Sequence, residues 1–163
     1  MAESEERIAV STWSLHRLLG STYPHDLTTD AVGEMVETYG EGSESLLGLP
    51  SVLANHGYKR LEIVSFHLRS RDPIYLGELR NQLDVAGVNL QTLLIDAGDI
   101  TDPVNGARDT RWIAGWIEVA NALGAQNARI IAGQQAPTPE TIARSATALR
   151  QLAAGNAGSP VRL

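Results

Sequence analysis

Four short runs of mostly apolar, often β-branched residues are spaced along the chain: Arg7 to Trp13, Arg60 to Phe66, Leu90 to Ile95 and Ala128 to Ala132. They do not alternate with polar residues. Continuous apolar runs of this length predict strands of a parallel sheet that is covered on both faces. Helical spacing fills the gaps between them. Asp72-Pro73 opens a helix, because Asp caps free N–H groups and Pro at the first position has none to satisfy. Leu76, Leu79, Leu83 and Ala86 follow on one stripe. The next helix is predicted to start near Asp109 and carries Trp112, Ile113, Trp116, Ile117, Ala120 and Leu123. The last begins at Thr138-Pro139-Glu140 and carries Ile142, Ala146, Leu149 and Leu152. An earlier one carries Leu49, Val52, Leu53 and His56.

Each helix stops at a glycine, and a new apolar run follows: Gly57 before Leu61, Gly87 before Leu90, Gly124 before Ala128. Gly158 precedes Val161-Arg162-Leu163 in the same way, so these three residues are expected to open a fifth strand. A repeat of roughly 30 to 40 residues with strand–helix content means successive βα units. One connection departs from the pattern. The long loop 17–48 holds Val32, Met35, Val36 and Tyr39 at helical spacing, which predicts a small extra helix. Gly40-Glu41-Gly42-Ser43 reads as a flexible turn after it. Long loops after a strand's C-terminal end often shape a binding site.

Two parallel α/β architectures fit this order: an open doubly wound sheet and part of a closed barrel. A nucleotide-binding open sheet would carry a glycine-rich turn after its first strand. Here that strand runs into Ser14-Leu15-His16-Arg17, and the chain contains neither G-x-G-x-x-G nor G-x-x-x-x-G-K-[ST]. Polar and aromatic residues collect instead at the C-terminal ends of strands, where barrel enzymes place their chemistry. They are Trp13 and His16, His67, Asp96 and Asp99, Gln134 and Gln135.

Ser11-Thr12-Trp13-Ser14-Leu15, Gly57-Tyr58-Lys59-Arg60-Leu61-Glu62-Ile63, Ala86-Gly87-Val88 and Ala122-Leu123-Gly124-Ala125 follow one another in the chain. In that order they resemble landmarks of the sugar phosphate isomerase/epimerase family. These are xylose isomerase-like barrels, in a superfamily that also contains AP endonucleases. The resemblance implies an α/β fold: a partial (β/α)8 TIM barrel of about four βα units, with the start of a fifth strand. It covers the N-terminal half of such a barrel, as one domain over 7–163 behind an acidic tail at 1–6. A complete barrel needs roughly 250 residues, against 163 here. Truncation, or completion by a partner chain, is therefore the expected reading of the C-terminus, since an open apolar strand edge invites aggregation.

The implied activity is metal-assisted isomerisation or epimerisation of a sugar or polyol, with a divalent metal (Mn, Mg, Co or Zn) polarising oxygens and a carboxylate moving a proton. In the family, the metal ligands and main acid/base carboxylates come chiefly from the later strands, so no metal ligand and no catalytic residue is assigned here. The expected substrate-facing residues are Trp13, His16, Glu62, His67, Asp96 and Gln134. Each has a plain alternative: packing under the long loop for Trp13 and His16, a paired polar residue in the barrel layer for Glu62, a satisfied loop histidine for His67, a turn cap for Asp96, an exposed amide for Gln134. Trp112 and Trp116, four apart on one helix, read as packing. His56 reads as a helix C-cap and His25 as uninformative.

Composition narrows the alternatives. The net charge is −6 with 13 Lys and Arg against 19 Asp and Glu, and no basic cluster occurs. That argues against an AP endonuclease-like repair protein, which needs a basic groove. The absence of cysteine removes disulfides, thiolate zinc sites and thiol nucleophiles and fits a cytoplasmic protein. No apolar stretch is long enough to span a bilayer. A non-catalytic half barrel that dimerises, or is completed by a partner chain, stands as the second reading.

Overall fold

The computed structural model describes residues 8–163. The acidic tail and Arg7, placed at the start of the first strand, lie outside them. Four parallel strands form the central sheet: β1 (Val10–Ser11), β6 (Arg60–Val64), β7 (Asn89–Ile95) and β8 (Asn127–Ile130). They neighbour one another in chain order. A doubly wound sheet reverses its strand order at a switch point, whereas a barrel adds each strand beside the last. This sheet has no reversal, so its order is that of a barrel segment. Arg162 extends the series by bridging Asn127 in parallel, where the spacing of glycine stops puts a fifth strand.

The strands are connected by α2 (Leu49–Asn55) before β6, α3 (Pro73–Ala86) before β7 and α4 (Gly106–Leu123) before β8. Helix α5 (Pro139–Gly155) follows β8. Their ends follow from local chemistry. The Asp72 side chain accepts the Ile74 N–H at 2.8 Å, and Thr138 and Thr141 cap each other reciprocally. Gly87 and Gly124 close α3 and α4 at φ 64° and 71°, a left-handed conformation that only a residue without Cβ adopts at no steric cost. Helix α4 begins three residues before the expected Asp109. That carboxylate is buried inside the first turn, where it accepts the Asp99 N–H at 2.8 Å and pairs with Arg108.

The register divides the sheet into two faces. Val10, Leu61 and Leu90 lie side by side, as do Ile63, Leu93 and Ala128, and all pack into the core with Leu79, Leu83, Ile113, Trp116, Ile117 and Ala120 of the helices. Pleating sends the intervening residues to the opposite, barrel-inner face. Ser11, Glu62, Thr92 and Asn127 form one row there, and Val64, Leu94 and Arg129 the next. A bulge at Gln91, where Glu62 pairs with Thr92 rather than Gln91, keeps both strands in phase. The apolar runs therefore arise from a buried outer face and a mixed inner one.

The long connection holds no helix at 32–39. It forms two antiparallel ribbons, β2 (Ser21–Thr22) with β5 (Val36–Glu37) and β3 (His25–Asp26) with β4 (Ala31–Val32). A four-residue helix, α1 (His16–Leu19), precedes them. The helical spacing of Val32, Met35, Val36 and Tyr39 has no apolar face to serve, because Met35 and Val36 are exposed. Asp30, at φ 57°, turns the chain between the strands of the second ribbon. Strand β6 is also shorter than its apolar run. It ends at Val64, and Ser65–His67 make a 3-10 turn.

Candidate functional site

The C-terminal ends of β1, β6 and β7 open into a cleft of about 320 Å³. Trp13, Phe66 and Asp96 stand at these strand ends, and the ribbons add Thr22, His25 and Tyr39 as an outer wall. Trp13 meets Phe66 edge-on at 5.2 Å between ring centres and leaves 48% of its surface exposed. His16 does not line the cleft. It stacks on Tyr39 at 4.0 Å, and its Nδ1–H donates to the Trp13 carbonyl at 2.6 Å, so it braces two rings that do line it.

Asp96 lies at the floor in an ion pair with Arg129, the β8 residue that the register places on the inner face one row up from Glu62. Glu62 accepts a hydrogen bond from Thr92 Oγ1 at 3.1 Å on the neighbouring strand. Each carboxylate is thus held by a partner, with a remaining oxygen available. Buried ionic groups need such partners to stay charged.

Glu62 lies mid-strand on the inner face and does not line the cleft, and the other expected site residues are also placed elsewhere. Gln134 belongs to a loop clasp: its side-chain amide donates to the Gly98 carbonyl at 3.2 Å and its N–H to Asp99 at 3.0 Å. Asp99 also accepts from Thr101 N–H, Thr101 Oγ1 and Gln135 Nε2. Burial raises its pKa, but these hydrogen bonds outweigh burial and hold the carboxyl at about 2. His67 turns away from the cleft. It is 3% exposed, and its Nδ1 lies 3.0 Å from Thr12 Oγ1, which accepts the Val64 N–H at 2.9 Å. Burial, helped by the nearby His16, lowers the imidazole pKa to about 4, so it is neutral at pH 7.

His25, uninformative in the sequence, is central to the cleft wall. Its ring lies 4.6 Å from Trp116 and 5.3 Å from Trp112, so the pair of tryptophans on α4 forms a seat for the ribbon. Burial lowers its pKa to about 4, against a hydrogen bond with the Ser65 backbone. Arg71 closes the seat from outside, over Trp116 at 5.4 Å and paired with Asp30 at 2.9 Å. Tyr39, Phe66 and Arg129 were likewise not singled out. Only Arg129 had a usable signal, a charged residue within an apolar strand run.

Among solved structures, this geometry matches a little under half of longer chains. The fold is similar to D-psicose 3-epimerase, determined in the presence of D-fructose, with a TM-score of 0.60 at 14% identity; the match covers 73% of this chain and 45% of that one. It is also similar to a xylose isomerase domain protein from Planctomyces limnophilus, with a TM-score of 0.57 at 12% identity, covering 69% of this chain and 47% of the other. The chain has the fold of a partial TIM barrel. It spans under half the length of these neighbours. No protein-family model matches the sequence, and no curated protein matches it.

The half barrel does not assemble a metal site among the described residues. No three His, Asp or Glu side chains converge. Asp96 is committed to Arg129, and Asp99 to its loop clasp. A divalent ion needs several free carboxylate or imidazole donors from different strands, and the residues present do not fit one. No helix among them is long and apolar enough to cross a membrane.

Proposed function

We propose that this half barrel supplies the substrate-holding side of a sugar or polyol isomerase/epimerase site. The observation that carries this reading is the aromatic cleft over the C-terminal strand ends, with the Asp96–Arg129 pair at its floor. Trp13 and Phe66 cover the carbon face of the sugar, and Asp96 accepts from its hydroxyls. Isomerisation and epimerisation then require a proton to leave a carbon beside a carbonyl and return, which is work for a base at the reacting carbon. None of this chain's residues is assigned that step. Its contribution is binding and orientation, which hold the substrate in one reactive pose.

Trp13 reports on this directly, because Trp112 and Trp116 are buried and Trp13 is half exposed. D-Fructose and D-psicose are expected to protect Trp13 from acrylamide quenching, and Trp13→Phe to remove the protectable signal. Quenching that is unchanged at saturating concentrations of both sugars would sink the proposal.

The mixed inner face of the sheet favours a second reading. Further strands, from a second copy of the chain, would close over Glu62, Thr92, Leu94 and Arg129 and hide the edge at β1 and the one beyond Arg162. Light scattering after gel filtration separates the two: a dimer that Arg129→Glu dissociates supports closure, and a monomer at high concentration rejects it.

A further inference from the structure

Part of the cleft's outer wall is a hairpin that is bonded mainly to itself. Residues 25–32 carry β3 and β4, with His25 opposite Val32 and Asp26 opposite Ala31. Inside its turn, Asp26 Oδ1 accepts the Thr28 and Thr29 N–H groups at 2.8 and 3.3 Å. The Gly33 N–H donates to the Pro24 carbonyl at 2.7 Å and closes the base. Just before the base, the Tyr23 N–H donates to the Phe66 carbonyl at 2.7 Å and anchors the chain. Among the described residues, no backbone hydrogen bond joins 25–32 to the chain outside 24–33. The hairpin can therefore swing about its base as one body without separating any pair of backbone partners.

Among the described residues, side chains alone fasten it. Near the base, His25 rests on Trp116 and Trp112 and is bonded to the Ser65 backbone. Leu27 and Val32 are partly buried against the core. At the tip, the Asp30 carboxylate pairs with Arg71 at 2.9 Å, and the Asp30 carbonyl accepts from the same guanidinium. Arg71 also lies over Trp116, so one arginine joins the tip of the hairpin to the helix on which its base rests. The Asp30 side chain is 58% exposed. An ion pair so open to water is worth little and weakens with salt. Such fastening puts the hairpin at the low-stability end of the fold, although its Pro24–His25 end forms a side of the cleft.

We propose that hairpin 25–32 is a lid on the cleft, hinged at the Pro24–Gly33 base and latched at its tip by Asp30 on Arg71. Opening lifts His25 from the tryptophan pair and removes one side of the cleft. Closing returns that side against a bound ligand, which holds the ligand and excludes water. The lid rests on the cleft being the binding site proposed above and adds how that site is entered.

Asp30→Gly tests the latch. Glycine at φ 57° preserves the turn, and Arg71 stays over Trp116. In a Trp13→Phe background only Trp112 and Trp116 remain, and both are buried. Their oxidation by N-bromosuccinimide, read by peptide mass spectrometry, is expected to quicken roughly fivefold in Asp30→Gly, while amide exchange along β7 stays unchanged. Sodium chloride at about 1 M is expected to quicken the parent in the same way and to leave Asp30→Gly unaffected. In chains that keep Trp13, the on- and off-rates of D-fructose, followed by Trp13 fluorescence, are expected to rise together in Asp30→Gly. Equal oxidation rates, oxidation that quickens only together with exchange in β7, or sugar rates untouched by Asp30→Gly would each overturn the lid. Failure of the sugar reading has a different signature: D-fructose leaves Trp13 unprotected in both proteins, while tryptophan oxidation still responds to Asp30→Gly.

Discussion

Thr12 ties the end of β1 to β6 and thereby places Trp13 at the cleft. It is fully buried, and its Oγ1 serves both the Val64 N–H at 2.9 Å and His67 Nδ1 at 3.0 Å. Thr12→Val keeps the shape and removes the hydroxyl. Two buried groups then lose their partner, each at a cost of about 1–3 kcal/mol, and partial relaxation puts the sum near 2–4 kcal/mol. Thr12→Ser is the matched control, because it keeps the hydroxyl and loses one methyl, worth about 1 kcal/mol. Urea denaturation followed by far-UV circular dichroism reads both. The valine variant is expected to unfold at clearly lower urea with an unchanged slope, and its Tm to fall by roughly 5–15 °C. A valine variant as stable as the serine one would refute the assignment of this hydroxyl as a buried hydrogen-bonding centre.

Acid is expected to weaken the fold in a defined window. His25 and His67 both have pKa values lowered from 6.5 to about 4, so between these limits the unfolded chain binds more protons than the folded one. Their stabilisation is complete above pH 6.5 and is lost as pH falls towards 4, with about 3 kcal/mol from fully buried His67 and less from the partly exposed His25. Urea midpoints at pH 7.5 and 5 check this, and equal midpoints would contradict it. Asp99→Asn removes the carboxylate on which the Thr101, Gln134 and Gln135 donors converge. A loss of about 1–3 kcal/mol is expected, together with faster amide exchange at Gln134 and Gln135; unchanged exchange there would mean the clasp contributes nothing.

What could be read from the residues was local. Asp72-Pro73, Thr138-Pro139 and the glycine stops work through contacts within one helical turn, so they place α3, α4 and α5 to within a few residues without reference to the rest of the chain. The succession of strand and helix, the parallel sheet and the packing role of Trp112 and Trp116 follow from the same order of apolar segments. The periodicity over 32–39 misled because spacing reports a face only if something covers it. Here the second strand partner is Thr22, and no core lies beneath Met35 and Val36.

Three matters belonged to tertiary structure. The sequential strand order, which separates a barrel segment from a doubly wound sheet, depends on pairing between residues some thirty or more positions apart. The bulge at Gln91 decides that Glu62, Thr92 and Arg129 all face inward, since a one-residue slip would reverse a strand's faces. The 3-10 turn at Ser65–His67 decides that Phe66 enters the cleft and His67 leaves it. Which residue types stand near the site is written in the chain; which side of the wall each one faces is set by a turn and a bulge, whose cost is met only by contacts made after folding.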